Sequence, residues 1–182
     1  MEAGSAAIPD DIGAIPMTEA GSAFCDEASF EEWVTTTQKP LVRFCRQFVN
    51  DWHEAEDIAQ EAYILAWQKR DGFKGASSLL TWQMSIARRV CLDRLSSRKK
   101  VSLILLDKHD AAQERDIDIK VDVQRALERL SIDDRVILYL RVGEEMPYED
   151  VARVLGRTAA VCRKRYERAK KRFEAAYSGL ED

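Results

Sequence analysis

The chain has 182 residues, with 28 lysines and arginines against 32 aspartates and glutamates, and a net charge of −4. This length predicts one or two domains, the acidic balance argues against a generally basic coat for nucleic acid, and no apolar run approaches the roughly 20 residues of a membrane span. The charge is uneven, because eight acidic residues precede the first basic residue, Lys39, and the remainder of the chain is therefore net basic.

The N-terminal residues 1–24 lack a sustained hydrophobic period and are rich in alanine, glycine and acids. We predict a disordered acidic arm, which is either a solubilising tail or a segment that screens basic surfaces of the rest of the chain. There is no basic stretch ahead of an apolar one, so no secretory signal is apparent and we expect a cytoplasmic protein. The four cysteines are far apart and the two histidines have no ligand spacing, so we expect neither a metal site nor a cofactor.

The first predicted domain covers residues 25–100 and is helical. Apolar residues over 30–48 follow helical spacing, and Pro40 predicts that this stretch divides into a helix over 29–39 and another over 40–49. The next helix carries an apolar stripe formed by Ala55, Ile58, Ala59, Ala62, Leu65 and Ala66. Asp57, Gln60 and Glu61 lie away from this stripe, and we expect them on an acidic surface of the helix.

A loop and a basic helix come next. The loop over 71–78 holds two glycines, an aromatic ring, a cation and two hydroxyls, which suits contact with bases and phosphates. The helix that begins near Ser78 or Leu79 has an apolar stripe of Leu80, Met84, Ala87, Cys91 and Leu95. Its C-terminal half is basic, with Arg88, Arg89, Arg94, Arg98, Lys99 and Lys100. Cations are favourable at any helix C-terminus, so this cluster alone does not establish DNA binding.

Residues 101–121 interrupt the helical pattern. The apolar run Leu103-Ile104-Leu105-Leu106 precedes an acidic stretch, and the whole segment is too polar for a core and too long for a turn. We predict a flexible linker. Its apolar run either docks on another surface or forms a small packed patch.

The second predicted domain covers residues 122–178 and contains a helix-turn-helix. A short helix over 147–155 is followed by Gly156, and Thr158 is suited to cap the last helix. That helix has a buried row formed by Cys162, Tyr166, Ala169 and Phe173. Its opposite face carries Lys164, Glu167, Arg168 and Lys171, and the spacing allows Arg163 to pair with Glu167. Arginine reads guanine, glutamate accepts from cytosine and lysine holds phosphates, so this helix is a candidate for major-groove recognition.

Several blocks of the first domain resemble region 2 of bacterial sigma factors of the extracytoplasmic-function (group IV) branch. The matching residues are Ala55-Glu56-Asp57-Ile58 with Gln60-Glu61, Phe73-Lys74-Gly75 with Ser77-Ser78, Thr81-Trp82, and Ile86-Ala87-Arg88 with Asp93. The resemblance implies that Asp57, Gln60 and Glu61 bind the clamp helices of the polymerase β′ subunit. It also implies that the −10 promoter element is captured by Phe73, Lys74, Ser77, Ser78, Trp82, Arg88 and Arg89.

The second domain is similar to region 4 of the same family. The matching residues are Ala126-Leu127 with Leu130, Arg135, Tyr148-Glu149-Asp150-Val151-Ala152 with Leu155-Gly156, and Arg168-Ala169-Lys170-Lys171. The resemblance implies contact with the polymerase β flap. It also implies that the −35 element is read by Thr158, Arg163, Lys164, Glu167, Arg168 and Lys171.

The sequence therefore predicts an all-α protein with two small helical domains joined by a flexible linker. The implied function is that of an alternative sigma factor, which binds core RNA polymerase and promoter DNA, performs no catalysis and is commonly held inactive by an anti-sigma factor. One alternative is a helix-turn-helix regulator that acts without polymerase, which leaves the Asp57, Gln60 and Glu61 row unexplained. The other is a metal-dependent enzyme, which needs convergent carboxylates, whereas the acids near Asp57 spread around one helix.

Overall fold

The computed structural model describes residues 26–102 and 121–180. The predicted N-terminal arm and most of the predicted linker lie outside the described residues. Every regular element in the described part of the chain is helical, which confirms the all-α prediction. Three helices precede the linker: α1 (Glu27–Arg46), α2 (Trp52–Gln68) and α3 (Leu79–Ser102), with a 3₁₀ turn at Arg70–Gly72. Four helices follow it: α4 (Val121–Glu128), α5 (Ile132–Leu138), α6 (Tyr148–Leu155) and α7 (Ala159–Ser178), with a π-helical turn at Tyr139–Gly143.

Side-chain caps fix where several helices begin. The Asp26 carboxylate accepts from the backbone N–H of Ser29 at 2.9 Å, and the two residues form a capping box. Asp51 caps α2 in the same way by accepting from the N–H of Glu54 at 2.7 Å. Such caps satisfy N–H groups that have no partner inside the helix. As predicted, Thr158 caps α7.

The prediction that Pro40 divides the first helix is wrong, because α1 continues through it. The proline removes one intrahelical hydrogen bond. Buried residues nevertheless lie on both sides of it, with Trp33 and Thr37 before and Leu41 after. The Thr37 hydroxyl also lies 2.8 Å from the hydroxyl of Tyr63 on α2. Packing on α2 therefore holds both halves of α1 in line.

The helices form two modules that pack against each other. The first module is α1–α3, and the second is α4–α7 with the π-helical turn. Their buried apolar side chains form one continuous core, and α6 lies against α3. Two hydrogen bonds cross the junction: the Tyr139 hydroxyl donates to the carbonyl of Pro40 at 2.9 Å, and the Arg135 guanidinium donates to the carbonyl of Gln47 at 3.2 Å. The predicted linker therefore joins modules that are in direct contact.

Candidate protein and nucleic-acid interfaces

One surface of α2 carries the acidic row expected from the sequence. The side chains of Asp57, Gln60 and Glu61 are all exposed, while Ala55, Ile58, Ala59, Ala62 and Ala66 are buried against α1 and α3. Glu61 is partly neutralised, because its Oε2 lies 2.9 Å from Nη2 of Arg94 on α3. The stripe of small alanines brings α3 close enough for this contact.

An exposed apolar side chain lies at the C-terminal end of the acidic row. Ile64 is 58% exposed, which makes it one of four large exposed apolar residues in the described part of the chain. It follows Gln60 by four residues and Asp57 by seven, so the three share one helix face. An exposed apolar residue with polar neighbours is the composition of a protein-binding surface, where a buried anchor is surrounded by a polar rim.

The loop over 73–78 has a more structural character than its composition suggests. Phe73 is only 5% exposed, and its ring packs 5.2 Å from that of Trp82. The Ser78 hydroxyl accepts from the N–H of Thr81 at 3.1 Å and so caps α3. Lys74 is exposed and Ser77 half-buried. The Ser77 hydroxyl donates to the carbonyl of Ser78 at 3.2 Å, and the side chain of Ser78 is exposed. In this arrangement Lys74 faces solvent, while Phe73 and Ser78 hold the loop and the start of α3 in place.

Trp82 and Arg89 lie on the same side of α3, where they line a groove of about 740 Å³ that also borders Glu61. Trp82 is half-buried and Arg89 exposed. Arg88 is half-buried and does not line this groove, because it is six residues after Trp82 and therefore points to another side of the helix. The structure thus brings together two of the three predicted −10 residues on this helix.

The helix-turn-helix is formed by α6 and α7. Gly156 ends α6 in the left-handed conformation, with φ of 61°, which reverses the chain direction without strain. The Thr158 hydroxyl then accepts from the N–H of Val161 at 3.3 Å. Cys162 and Ala169 are buried and Phe173 is half-buried, as the predicted row requires. The opposite face is free for a ligand.

The predicted −35 residues form an exposed, mainly basic face of α7. The side chains of Thr158, Arg163, Lys164, Glu167, Arg168 and Lys171 are all exposed. The expected ion pair of Arg163 with Glu167 is not formed. The Arg163 guanidinium instead lies 5.0 Å from the centre of the Tyr148 ring at the start of α6, and this cation–π contact orients it. Glu167 therefore faces solvent without that partner.

Two other cations of α7 have a structural role that was not predicted. Nη1 of Arg172 lies 2.6 Å from Oδ2 of Asp134, and Nη2 of Arg165 lies 2.8 Å from Oδ2 of Asp133. Asp134 is buried in the first turn of α5. These ion pairs attach α7 to α5, so not every cation of the basic helix is available to DNA.

Sequence reasoning missed Val161, which is 49% exposed near the start of α7. It precedes Lys164 by three residues and Arg168 by seven, so it belongs to the same face as these cations. The helical spacing of Val161 relative to these cations was the available signal, but only the charged residues of this face were considered. An exposed aliphatic group here is suited to contact a thymine methyl in the major groove.

Comparison with protein families identifies both modules. Residues 33–101 match the family model for sigma-70 region 2, and residues 120–173 match that for sigma-70 region 4. The chain belongs to the sigma-70 family. The matched ranges contain the acidic row of α2, the loop and groove beside α3, and the helix-turn-helix. The comparisons favour the extracytoplasmic-function branch and an alternative sigma factor, not a regulator that acts without polymerase.

Curated relatives of this sigma factor extend over most of its length. RNA polymerase sigma-H factor of Pseudomonas aeruginosa is 28% identical over 173 residues, which cover 85% of this chain and 89% of the relative. ECF RNA polymerase sigma factor SigC of Mycobacterium tuberculosis is 28% identical over 174 residues, or 90% of this chain and 91% of the relative. SigX of Bacillus subtilis, also an ECF sigma factor, is 28% identical over 142 residues, or 71% and 73%.

Solved structures share the fold of this sigma factor. The sigma factor RpoE from Bartonella quintana, in complex with the anti-sigma factor NepR, superposes with a TM-score of 0.71 at 24% identity, covering 82% of this chain and 96% of that one. CnrH in complex with the cytosolic domain of CnrY superposes with a TM-score of 0.63 at 18% identity, covering 85% and 91%.

Within 26–102 and 121–180, no three histidine, cysteine, aspartate or glutamate side chains converge as ligands for a metal ion. None of the helices in these ranges combines the length and the apolarity that crossing a bilayer requires.

Proposed function

We propose that this sigma factor docks on core RNA polymerase through the exposed row of α2 and reads two promoter elements, one with each module. It acts in the cytoplasm and performs no catalysis of its own. The observation that carries this proposal is the joint presence of two unlike surfaces. One is an acidic row on α2 with an exposed apolar residue at its end, and the other is an exposed basic face on a helix-turn-helix. A regulator that acts alone has no use for the first surface.

Docking on the β′ clamp helices is assigned to Asp57, Gln60, Glu61 and Ile64. The three polar groups are exposed and Ile64 lies at the end of their row, so burial of Ile64 would supply affinity while the polar groups set orientation. The ion pair with Arg94 holds the Glu61 side chain towards α3. The second module is assigned a further contact, with the β flap of the polymerase.

Capture of the opened −10 strand is assigned to the side chains around the loop and the α2–α3 groove. Trp82 offers a ring for base stacking, while Lys74, Arg88 and Arg89 supply charge for the backbone. Ser77 is assigned to a hydrogen bond with a phosphate or base, which requires its hydroxyl to leave the carbonyl of Ser78. Phe73 and Ser78 contribute indirectly, because Phe73 packs on Trp82 and Ser78 caps α3.

Recognition of the −35 duplex is assigned to α7. In a helix-turn-helix the N-terminal residues of the second helix contact base edges. Lys164, Glu167 and Arg168 are therefore assigned to the bases, with Val161 beside them. Thr158, Arg163 and Lys171 are assigned to phosphates, and Tyr148 holds Arg163 in position.

Reading both elements requires the two modules to separate. The names −10 and −35 imply centres about 25 base pairs apart, or about 85 Å along B-DNA. A compact chain of this length has a radius of gyration of only about 16 Å. We therefore infer that the closed packing belongs to the free protein, or to a complex with an anti-sigma factor, and that residues 101–121 join the separated domains on polymerase.

Run-off transcription with core polymerase and a library of promoter-length DNA tests the proposed function. We expect specific initiation, which is lost when Asp57→Ala and Glu61→Ala are combined. The matched control combines Glu31→Ala with Glu32→Ala, which removes two exposed acids of α1 outside the row. Duplex binding without any polymerase-dependent start would contradict the proposal and favour a regulator that acts alone.

A further inference from the structure

An open groove of about 480 Å³ runs along the junction of the two modules. Its apolar walls come from the second module and include Leu127, Leu138, Val142 and Phe173. Val142 is 63% exposed, so no described part of the chain covers its side chain. A groove of this size accommodates a few aliphatic side chains of an extended segment, and not a folded domain.

One end of the linker meets α4 at a wall of this groove, and the other end leaves α3 from a neighbouring corner of the first module. The chain leaves α3 near the α1–α2 corner, where Nη2 of Arg98 lies 2.7 Å from Oε2 of Glu54. Asn50, four residues before Glu54, lines the groove, and so does Val123 in the first turn of α4. The 18 residues 103–120 have an extended reach of about 60 Å, well above the radius of gyration of about 16 Å expected for a compact chain of this length.

The sequence of this segment is complementary to the groove. Residues 103–106 are its one run of four successive large aliphatic side chains, and five of the residues that follow within 107–118 are acidic. The lining of the groove includes three arginines, Arg43, Arg46 and Arg135, and two glutamates, Glu128 and Glu144. Burial lowers the pKa values of Arg46 and Arg135, and the nearby Glu128 carboxylate opposes this effect. With three arginines against two glutamates, the lining keeps an excess of one positive charge, which favours a further anionic neighbour.

We propose that residues 103–106 occupy this groove in the free protein and hold the two modules together, with the acidic residues after them near the three arginines of its lining. Tethering at both ends gives the run a local concentration on the order of millimolar, so even a weak contact is occupied. The proposed contact forms in the free protein, so it does not depend on the proposed role of the chain in transcription.

Binding of a labelled peptide tests this assignment. The protein is the full chain with Leu103→Ser, Ile104→Ser, Leu105→Ser and Leu106→Ser, and the probe is a fluorescein-labelled peptide of residues 103–116, followed by anisotropy. We expect this serine variant to bind the peptide with a Kd at least ten-fold lower than that of the wild type, in which the tethered run competes.

Two further substitutions locate the binding surface. Val142→Glu, added to the serine variant, places a charge in the groove and should raise the Kd at least ten-fold. The matched control is Leu92→Glu, at another exposed apolar residue outside the groove, which should leave the Kd unchanged. The proposal is overturned if the serine variant fails to bind the peptide, or if Leu92→Glu weakens binding as much as Val142→Glu does. Equal affinity of the wild type and the serine variant would also overturn it, and would leave the groove to a separate partner.

Discussion

The hydroxyl of Tyr139 donates to the carbonyl oxygen of Pro40, 2.9 Å away, and so joins the second module to the first. Glu144 also accepts a hydrogen bond from this hydroxyl. The Tyr139 hydroxyl has a single proton, which the Pro40 carbonyl and the Glu144 carboxylate share. Ring packing supports the contact, since the Tyr139 and Phe44 ring centres are 6.4 Å apart. Burial raises the pKa of Tyr139, so the hydroxyl remains protonated.

Removing the Tyr139 hydroxyl should weaken the packing of the modules. We expect Tyr139→Phe to lower the free energy of unfolding in urea by about 1 kcal/mol, the usual net contribution of one hydrogen bond. Tyr148→Phe is the control, because the described residues give the Tyr148 hydroxyl no hydrogen-bond partner. Equal losses of stability in both variants would show that the bond to Pro40 contributes nothing specific.

The Glu144 carboxyl should make stability depend on pH. Burial raises its pKa above the ordinary 4.5, against the opposing effects of the Tyr139 hydrogen bond and the positive charge of Arg43. The folded state therefore binds more protons than the unfolded state. This contribution to stability is full below pH 4.5 and is lost as pH rises through the folded pKa.

Glu144→Gln provides the comparison, because glutamine stays uncharged at every pH. We expect the unfolding free energy of the wild type to fall relative to that of the variant as pH rises from about 4.5 to about 8. Urea titrations at intervals across this range measure the difference. Profiles that stay parallel would mean that Glu144 has the same pKa in the folded and unfolded chain.

The buried carboxylate of Asp134 should be important for the second module. It pairs with Arg172 at 2.6 Å while its side chain is only 2% exposed. We expect Asp134→Asn to lower the unfolding free energy by about 1–3 kcal/mol, less than for a fully buried pair because the arginine is more than half exposed. Asp133→Asn is the matched control, and its exposed pair with Arg165 should contribute under about 1 kcal/mol. A larger loss for Asp133→Asn would contradict this assignment.

Local periodicity predicted the parts of this fold that depend on neighbouring residues. The apolar stripe of α2, the buried row of α7 and the Thr158 cap all follow from spacings of three and four. The contact of Tyr139 with Pro40 joins residues 99 positions apart, and Arg172 is 38 positions from Asp134. Such pairs leave no periodic signal in a single sequence, so the packing of the modules was not predictable.

In the candidate site too, some features could be predicted from the sequence and others could not. Exposure of the α2 row followed from the position of its apolar stripe. Burial of Phe73 did not, because a glycine-rich loop composition says nothing about which side chain turns inward. The continuity of α1 through Pro40 was also missed, since packing on both sides of the proline outweighed the lost hydrogen bond.

Ile64 should act as an anchor for polymerase. Its side chain is 58% exposed, so Ile64→Ala should change the free energy of unfolding by less than about 0.5 kcal/mol. We expect the Kd for core polymerase to rise about ten-fold, as is common for an apolar anchor at an interface centre. Leu92→Ala, at an apolar residue that is 36% exposed on α3, is the control. The same loss of affinity in both variants would remove Ile64 from the interface.

Val161 should distinguish thymine from uracil in the −35 duplex. The two bases differ only in the methyl group that thymine presents in the major groove. Each thymine of a −35 duplex selected by run-off transcription is replaced in turn by uracil. At the position that Val161 contacts, we expect the Kd of the wild type to rise about four-fold, the equivalent of about 0.8 kcal/mol for one buried carbon group. Val161→Ala should bind the thymine and uracil duplexes nearly equally.

Lys171→Ala is the comparison: loss of a phosphate contact should weaken both duplexes alike and lower the salt dependence of binding by about one unit of slope. If Val161→Ala keeps the full preference for thymine, Val161 does not contact that methyl group, and the preference belongs to another residue of α7.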